Sequence, residues 1–275
     1  MIIDTHAHIY SPDEKTYPTR SDPYRPPAGK GTPQGLQAEM KAAGVDRAML
    51  VQTTTFYNWD NSFVRDVGAK AGQWARTVVT LDPEHPHSPD ILYALYHRAN
   101  ARAIRTYPVQ GGPYDHPGNR RLWAMARELG MTVNVLISKA AYAEEVARLT
   151  RDFPTVNAVL DHCIALDVKQ EFDVRVSRVV ELARFKNLHA KLTYLATGSA
   201  EQFPFRDMHP ATRKFIEAYG PDRCVWGSDY PTELWCPKVT YKQHLELFQG
   251  HLGLSKGEQE AILGGTAWRL WFEKK

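Results

Sequence analysis

Cysteine is scarce in this chain of 275 residues: Cys163, Cys224 and Cys236 are the only three, and no Cys-x-x-Cys pair occurs. An odd, scattered set makes a disulfide framework a poor fit and suits a reducing compartment, so a cytoplasmic protein is expected. No apolar run approaches the roughly 18 residues of a membrane span. The N-terminus lacks a basic segment followed by an apolar one, so no export signal is read there. The net charge is also small, +3 with basic and acidic residues intermingled. A nucleic acid or an anionic membrane would ask for a concentrated basic stripe. Neither G-x-G-x-x-G nor G-x-x-x-x-G-K-[S/T] is present, which removes the common phosphate-cradling loops. Repeats, low-complexity tracts and domain linkers are lacking too.

What the chain does have is core material: 43% hydrophobic residues, with seven Trp, thirteen Tyr and ten Phe. That suits one large folded domain over 1–275. Short apolar or β-branched runs at 1–4, 47–52, 76–81, 101–106, 131–137, 156–161, 188–193 and 223–227 read as strands. Most are nearly continuous in apolar residues, as parallel strands covered by helices are. Helical patterns alternate with them at 33–44, 60–72, 88–100, 119–130, 139–153, 172–185 and 209–220, several ending in Gly. Eight strands alternating with helices predict a single (β/α)8 TIM-type barrel. An open doubly wound sheet is the alternative, and its glycine-rich loop is missing. Residues 9–32, too rich in Pro and Gly for a helix, are expected to form a long loop after strand one that arches over the catalytic mouth.

In such barrels the active site forms at the C-terminal ends of the strands. The polar residues that fall there are His6 and His8 after strand one, Gln52 after strand two, Asp82 after strand three and Arg105 near the end of strand four. Strand six ends in Asp161-His162, strand seven carries Lys191 and Thr193, and strand eight runs into Ser228-Asp229. In a strand, alternate side chains share a face, so His6 and His8 should enter one space. Each residue also has a plainer reading. A lone strand-end His is usually a hydrogen-bonded structural residue, Asp161 can cap the next helix, and Asp229 can cap a turn. It is the convergence of His6, His8, His162 and Asp229 on one rim that marks an active site. His85 and His87 lie in a proline-broken loop and read as surface residues. His97, His244 and His251 fall in helical patterns, His189 at the wrong end of strand seven, and His209 in a second tier.

Three motifs, IDTHAH at 3–8, LDH at 160–162 and WGSDYP at 226–231, together resemble the amidohydrolase superfamily, in its amidohydrolase-related (amidohydrolase 2) branch. GVDRAMLVQ (44–52) and DNSFVRDVG (60–68) are similar to that branch as well. DPYRPPAGKGTP (22–33) and the stretch from Gln52 to Asn61 resemble the 2-pyrone-4,6-dicarboxylate lactonases and their relatives. The resemblance implies that His6 and His8 bind metal or line a metal-independent site. It implies that His162 polarises the reacting carbonyl or helps ligate metal, that Asp229 accepts a proton from water, and that Arg105 holds a substrate carboxylate. Departures matter equally. A binuclear site needs a bridging Lys or Glu on strand four and a His on strand five. Arg105 has no lone pair to offer, and MTVNVLIS (131–138) has no His. The decarboxylases of the branch lose ground for the same reason. The residues after His162 and Asp229 lack the cations of the pyrone-dicarboxylate enzymes, which argues against that doubly anionic substrate.

The function expected is hydrolysis of a small carboxylated or aromatic-derived lactone, with Asp229 as general base and His162 as its catalytic partner. His6, His8 and His162 would hold one divalent ion with Asp229, zinc by its donor types, or polarise the carbonyl without metal. Arg105, Lys191, Tyr57, Tyr194 and Gln52 are the expected substrate-binding residues. The partner expected is a small, carboxylate-bearing lactone, with a homodimer possible and no nucleic acid or membrane. A metal-dependent non-oxidative decarboxylase on the same fold is the first alternative, and a non-catalytic binding protein the second.

Overall fold

A computed structural model describes residues 1–273, and its organising feature is a parallel sheet of eight strands in sequential order, β1 to β8. These are β1 (Ile3–Ala7), β2 (Arg47–Val51), β3 (Ala75–Thr80), β4 (Ala101–Thr106), β5 (Thr132–Val135), β6 (Ala158–Leu160), β7 (Leu188–Lys191) and β8 (Cys224–Val225). Bonds from Thr5 N to the Trp226 carbonyl and from His8 N to the Tyr230 carbonyl bring the first strand beside the last. The result is the (β/α)8 barrel that the alternating pattern predicts. Helices α1 (Pro33–Ala43), α2 (Ser62–Lys70), α3 (Ser88–Arg98), α4 (Pro117–Leu129), α5 (Ala143–Asp152), α6 (Phe172–Leu182) and α7 (His209–Tyr219) cover its outside.

Local sequence explains how these elements begin and end. In α1 the Thr32 hydroxyl accepts from Gly35 N, Pro33 takes the first turn, and Gly44 closes the helix at φ 72°. α5 carries Glu144 and Glu145 in its first turn and Arg151 in its last, both favourable to the helix dipole. Its apolar residues, Val146, Leu149 and their neighbours, turn inward. Among the described residues no helix is long and apolar enough to cross a membrane.

The barrel interior divides into two layers. Ile3, Met49, Val51, Val78, Ala103, Val159 and Val225 pack together with Trp271 and Phe272 from the C-terminal segment. Trp271 donates its indole N–H to Thr132 Oγ1, and the Arg47 and Arg76 guanidinium groups lie over the Phe272 ring. These partners stand at the starts of strands, so the C-terminal segment plugs the N-terminal end of the barrel. The other end carries the polar residues.

Candidate active site

One irregularity decides how the first strand serves the polar end. Asp4 pairs with Ala48 and Ala7 with Leu50, so β1 holds one residue more than β2 between those points. Such a bulge reverses the parity of the faces. Ile3 points into the barrel, and by strict alternation the odd positions would follow it. The bulge turns His6 and His8 inward instead, with their Nε2 atoms 3.1 Å apart.

β8 approaches closely enough to add Asp229 to this pair. Asp229 N donates to the His6 carbonyl at 2.9 Å. A Cβ on Gly227 would sit 2.7 Å from His6 Cβ, so glycine is required for the approach. Buried Asp4 pins the same junction, accepting from Ser228 N, Ser228 Oγ, His6 N and the Tyr241 hydroxyl. Asp229 itself is held at φ 56°, a conformation that favours glycine. His162 begins a left-handed turn in which His162, Cys163, Ile164 and Ala165 have φ of 54°, 47°, 63° and 45°. Each such non-glycine residue costs roughly 1–2 kcal/mol. Conformations of this kind persist where surrounding contacts impose them, often at functional sites.

The two aspartates at this end are partnered very differently. Asp161 is fully buried, with Lys191 Nζ 2.7 Å from one oxygen and Arg105 Nε 2.9 Å from the other. The Arg105 contact is an ion pair whose N–H is not aimed along a hydrogen-bond line. Asn134 Nδ2 adds a bond at 3.2 Å. Burial pushes the Asp161 carboxyl up, but Lys191 and Arg105 outweigh it and hold it below the usual range. Asp229 has only His6 Nε2 and His162 Nδ1 beside its oxygens, each at 3.5 Å. Burial raises it well above an ordinary carboxylate, with Arg105 and Lys191 opposing. Asp161 is thus fastened by two cations, and Asp229 is not.

The histidines are neutral. Burial, reinforced by Arg105, pushes His8 and His162 down to about 3, and burial with Lys191 pushes His6 lower than its ordinary value by a wide margin. Their hydrogen bonds then fix which nitrogen carries the proton. His8 Nδ1 lies 2.9 Å from the Val51 carbonyl and must donate, so its Nε2 presents a lone pair to His6. His6 donates from Nε2, and its Nδ1 accepts from Lys191 Nζ at 3.4 Å. His162 Nε2 accepts from Arg105 Nη2 at 3.2 Å, which leaves Nδ1–H for Thr193 Oγ1 at 2.6 Å.

Above this cluster opens a cleft of about 420 Å3, lined on one side by His8, Thr53, Thr54, Thr55 and Trp235, and at its base by Arg105, His162 and Asp229. Its size suits a small ligand. Not every predicted site residue reaches it. Lys191 is wholly buried beneath, touching His6 and Asp161. Gln52 spends its amide N–H groups on the Asn58 and Asp60 carbonyls and so shapes the loop behind the rim. The Tyr57 hydroxyl accepts from Ser11 N, in an aromatic cluster with Phe56 and Phe63. The Tyr194 hydroxyl bonds Thr212 on α7 and is fully buried. Tyr57 and Tyr194 spend their hydroxyls away from the cleft and Gln52 its amide N–H groups, while Gln52 Oε1 has no hydrogen-bond partner among the described residues. The loop 9–32 packs on the rim of the cleft: Arg20 N and Tyr24 N donate to the Phe56 and Thr55 carbonyls, and the Tyr24 ring meets Trp235.

Two important residues were given other roles by sequence reasoning or passed over. Asp161, read as a helix cap, is the counter-ion of Arg105 and Lys191; its place beside His162 at a strand end was the available signal. Arg175 on α6 also lines the cleft. Nothing in its helical context marks it. His189 bonds the Ala158 carbonyl, His244 accepts from the Trp226 indole, and His209 meets the Pro204 carbonyl, so none of these joins the cluster.

The profile of the Amidohydrolase family matches residues 3–272. The chain belongs to the amidohydrolase family. This amidohydrolase is 25% identical over 248 residues to an L-fucono-1,5-lactonase of Burkholderia ambifaria, covering 83% of this chain and 80% of that protein. It is 26% identical over 290 residues to a 2-pyrone-4,6-dicarboxylate hydrolase of Comamonas testosteroni, covering 99% and 90%. In fold it is similar to an amidohydrolase of Burkholderia multivorans crystallised with zinc: TM-score 0.79, 20% identity, 98% of this chain and 99% of that one.

Proposed function

We propose that this amidohydrolase opens small lactones by water attack, with Asp229 as general base. The observation that carries the reading is the contrast at the cleft base: one buried carboxylate neutralised by two cations, and a second with no partner closer than 3.5 Å. The lactone-hydrolase relatives support the bond type.

A divalent ion would be held by His6, His162 and Asp229, whose donor atoms lie within 4.8 Å of one another. Their chemistry in this arrangement does not fit one. The His162 Nε2 lone pair faces the Arg105 guanidinium, and its Nδ1 must carry the proton. An ion on His6 Nε2 would move the ring proton to Nδ1, against the Lys191 ammonium. Arg105 and Lys191 face His162 and His6, so a dication on those rings would lie against two buried cations. The chemistry then falls to the side chains alone.

Asp229 removes a proton from water as its oxygen adds to the lactone carbonyl. The negative charge that develops on the carbonyl oxygen is stabilised by the Arg105 guanidinium at the base of the cleft. Collapse of the tetrahedral adduct breaks the ring C–O bond, and the proton held by Asp229 passes to the departing oxygen. A hydroxy acid results, and the carboxylate is regenerated. Burial raises the Asp229 pKa, which makes its carboxylate a stronger base toward water than an ordinary aspartate.

The test is a lactone panel assayed on protein purified without added metal, before and after chelation. Ring-opened acid formed at an unchanged rate supports the reading. Carbon dioxide released from aromatic acids, with activity lost on chelation, would replace it with the decarboxylase.

A further inference from the structure

The cleft contains a second guanidinium, and its surroundings differ from those of Arg105. Arg175 is 4% exposed, yet it lines the cleft. Its Nη1 donates to the Ala165 carbonyl and its Nη2 to Gln170 Oε1 at 3.3 Å, both neutral acceptors. Its Nε has no hydrogen-bond partner. Among the described residues the only carboxylate within 4 Å is Glu171, at 3.9 Å, and that side chain is 57% exposed. Asp167 lies on the same wall, but its oxygens face its own turn, accepting from Lys169 N at 2.7 Å and Gln170 Nε2 at 3.3 Å.

A guanidinium carries five N–H donors and cannot shed its proton. Burying that charge is costly unless an anion meets it. At Arg105 the anion is Asp161. At Arg175 the protein supplies none within the cleft. We infer that the substrate supplies it: Arg175 anchors a carboxylate-class oxyanion on the lactone, at the wall formed by Ala165, Leu166, Gln170 and Thr197. This rests on the lactone-hydrolase reading and adds the substrate's charge. It also moves the carboxylate-holding role away from Arg105, whose Nε and Nη2 face Asp161 and His162, and leaves Arg105 to the carbonyl oxygen. The guanidinium has a second contact to account for, since Ala165 ends the left-handed turn that starts at His162. A residue that only clamps this turn would act on every substrate alike.

That difference is the basis of the experiment. Wild-type protein, R175Q and R175K are assayed with 5-oxotetrahydrofuran-2-carboxylate and with the matching carboxamide. Calorimetry with tetrahydrofuran-2-carboxylate and its carboxamide, which have the ring and no ester bond, reads binding apart from catalysis. The wild type should prefer the acid in both assays. R175Q should lose about 10- to 100-fold in kcat/KM for the acid, mainly through KM, and little for the amide. R175K should recover part of the loss, and the melting temperatures should establish that the variants are folded. Equal losses for acid and amide, or unchanged binding of the ring acid by R175Q, overturn the anion site. Acid-selective binding lost in R175Q, with no lactone opened by the wild type, retains the site and retires the hydrolase. Lactones opened without preference for the acid do the reverse.

Discussion

The two ends of this barrel are built from the same eight strands and solve opposite problems. At the N-terminal end, Val, Ala, Met and Ile side chains meet Trp271 and Phe272 in an apolar layer, with the Arg47 and Arg76 guanidinium groups held over the Phe272 ring. At the C-terminal end, Arg105, Lys191, Asp161 and Asp229 are buried beside three imidazoles. The first layer gains from every apolar contact it makes. The second gains only where charges meet at short distance, as at Asp161, and keeps Asp229 out of that arrangement. A carboxylate spent on an ion pair is a poor base, so the proposed mechanism divides stability and reactivity between two aspartates.

Substitutions at each end should separate these roles, and the largest effect belongs to Asp229. D229N should reduce kcat/KM by about 10²–10⁴-fold while leaving the fold intact, the usual size of a general-base contribution; turnover near the wild-type rate would remove Asp229 from the mechanism. D161N should act on stability first. It leaves Arg105 and Lys191 without their counter-ion, and loss of one partner from a buried ion cluster costs about 3–5 kcal/mol. A denaturant titration showing no loss would mean the cations are compensated elsewhere. M49A, in the apolar layer, should cost about 2–5 kcal/mol through the cavity it creates. Unlike the rim variants, it should leave kcat unchanged in the folded protein, and a matching fall in kcat would show that the two layers are coupled.

The pH profile sharpens the same division. In the proposed mechanism Asp229 acts as a carboxylate, and burial raises its folded-state pKa, so kcat/KM should fall as pH drops through a value above the ordinary carboxylate range. His8 and His162, pushed down to about 3, should add no histidine limb near 6.5. A profile with two ionisations on the acid side would contradict that assignment. The smallest effect is expected at Tyr57. Its hydroxyl only receives a loop N–H at Ser11, so Y57F should shift stability by about 1 kcal/mol and leave KM unchanged.

Much of this was legible in the sequence, where it depends on order along the chain. Alternating apolar runs and helical patterns determine the eight-fold barrel, since a β-α alternation has few other compact solutions. Strand ends then place His6, His8, His162, Arg105 and Asp229 on one rim. What sequence order could not decide is which polar groups neutralise one another. That depends on differences of less than an ångström, 2.7 and 2.9 Å at Asp161 against 3.5 Å at Asp229, between side chains on different strands. The bulge in β1, the close approach allowed by Gly227 and the left-handed turn at His162 set those distances. They bind Asp161 to two cations, leave Asp229 unpaired, turn Tyr57 and Tyr194 away, and bring Arg175 from an unremarkable helix to the cleft. Local pattern determined the scaffold because burial of apolar surface is periodic and additive. Only the tertiary structure assigned the charges, because electrostatic pairing depends on separation in space.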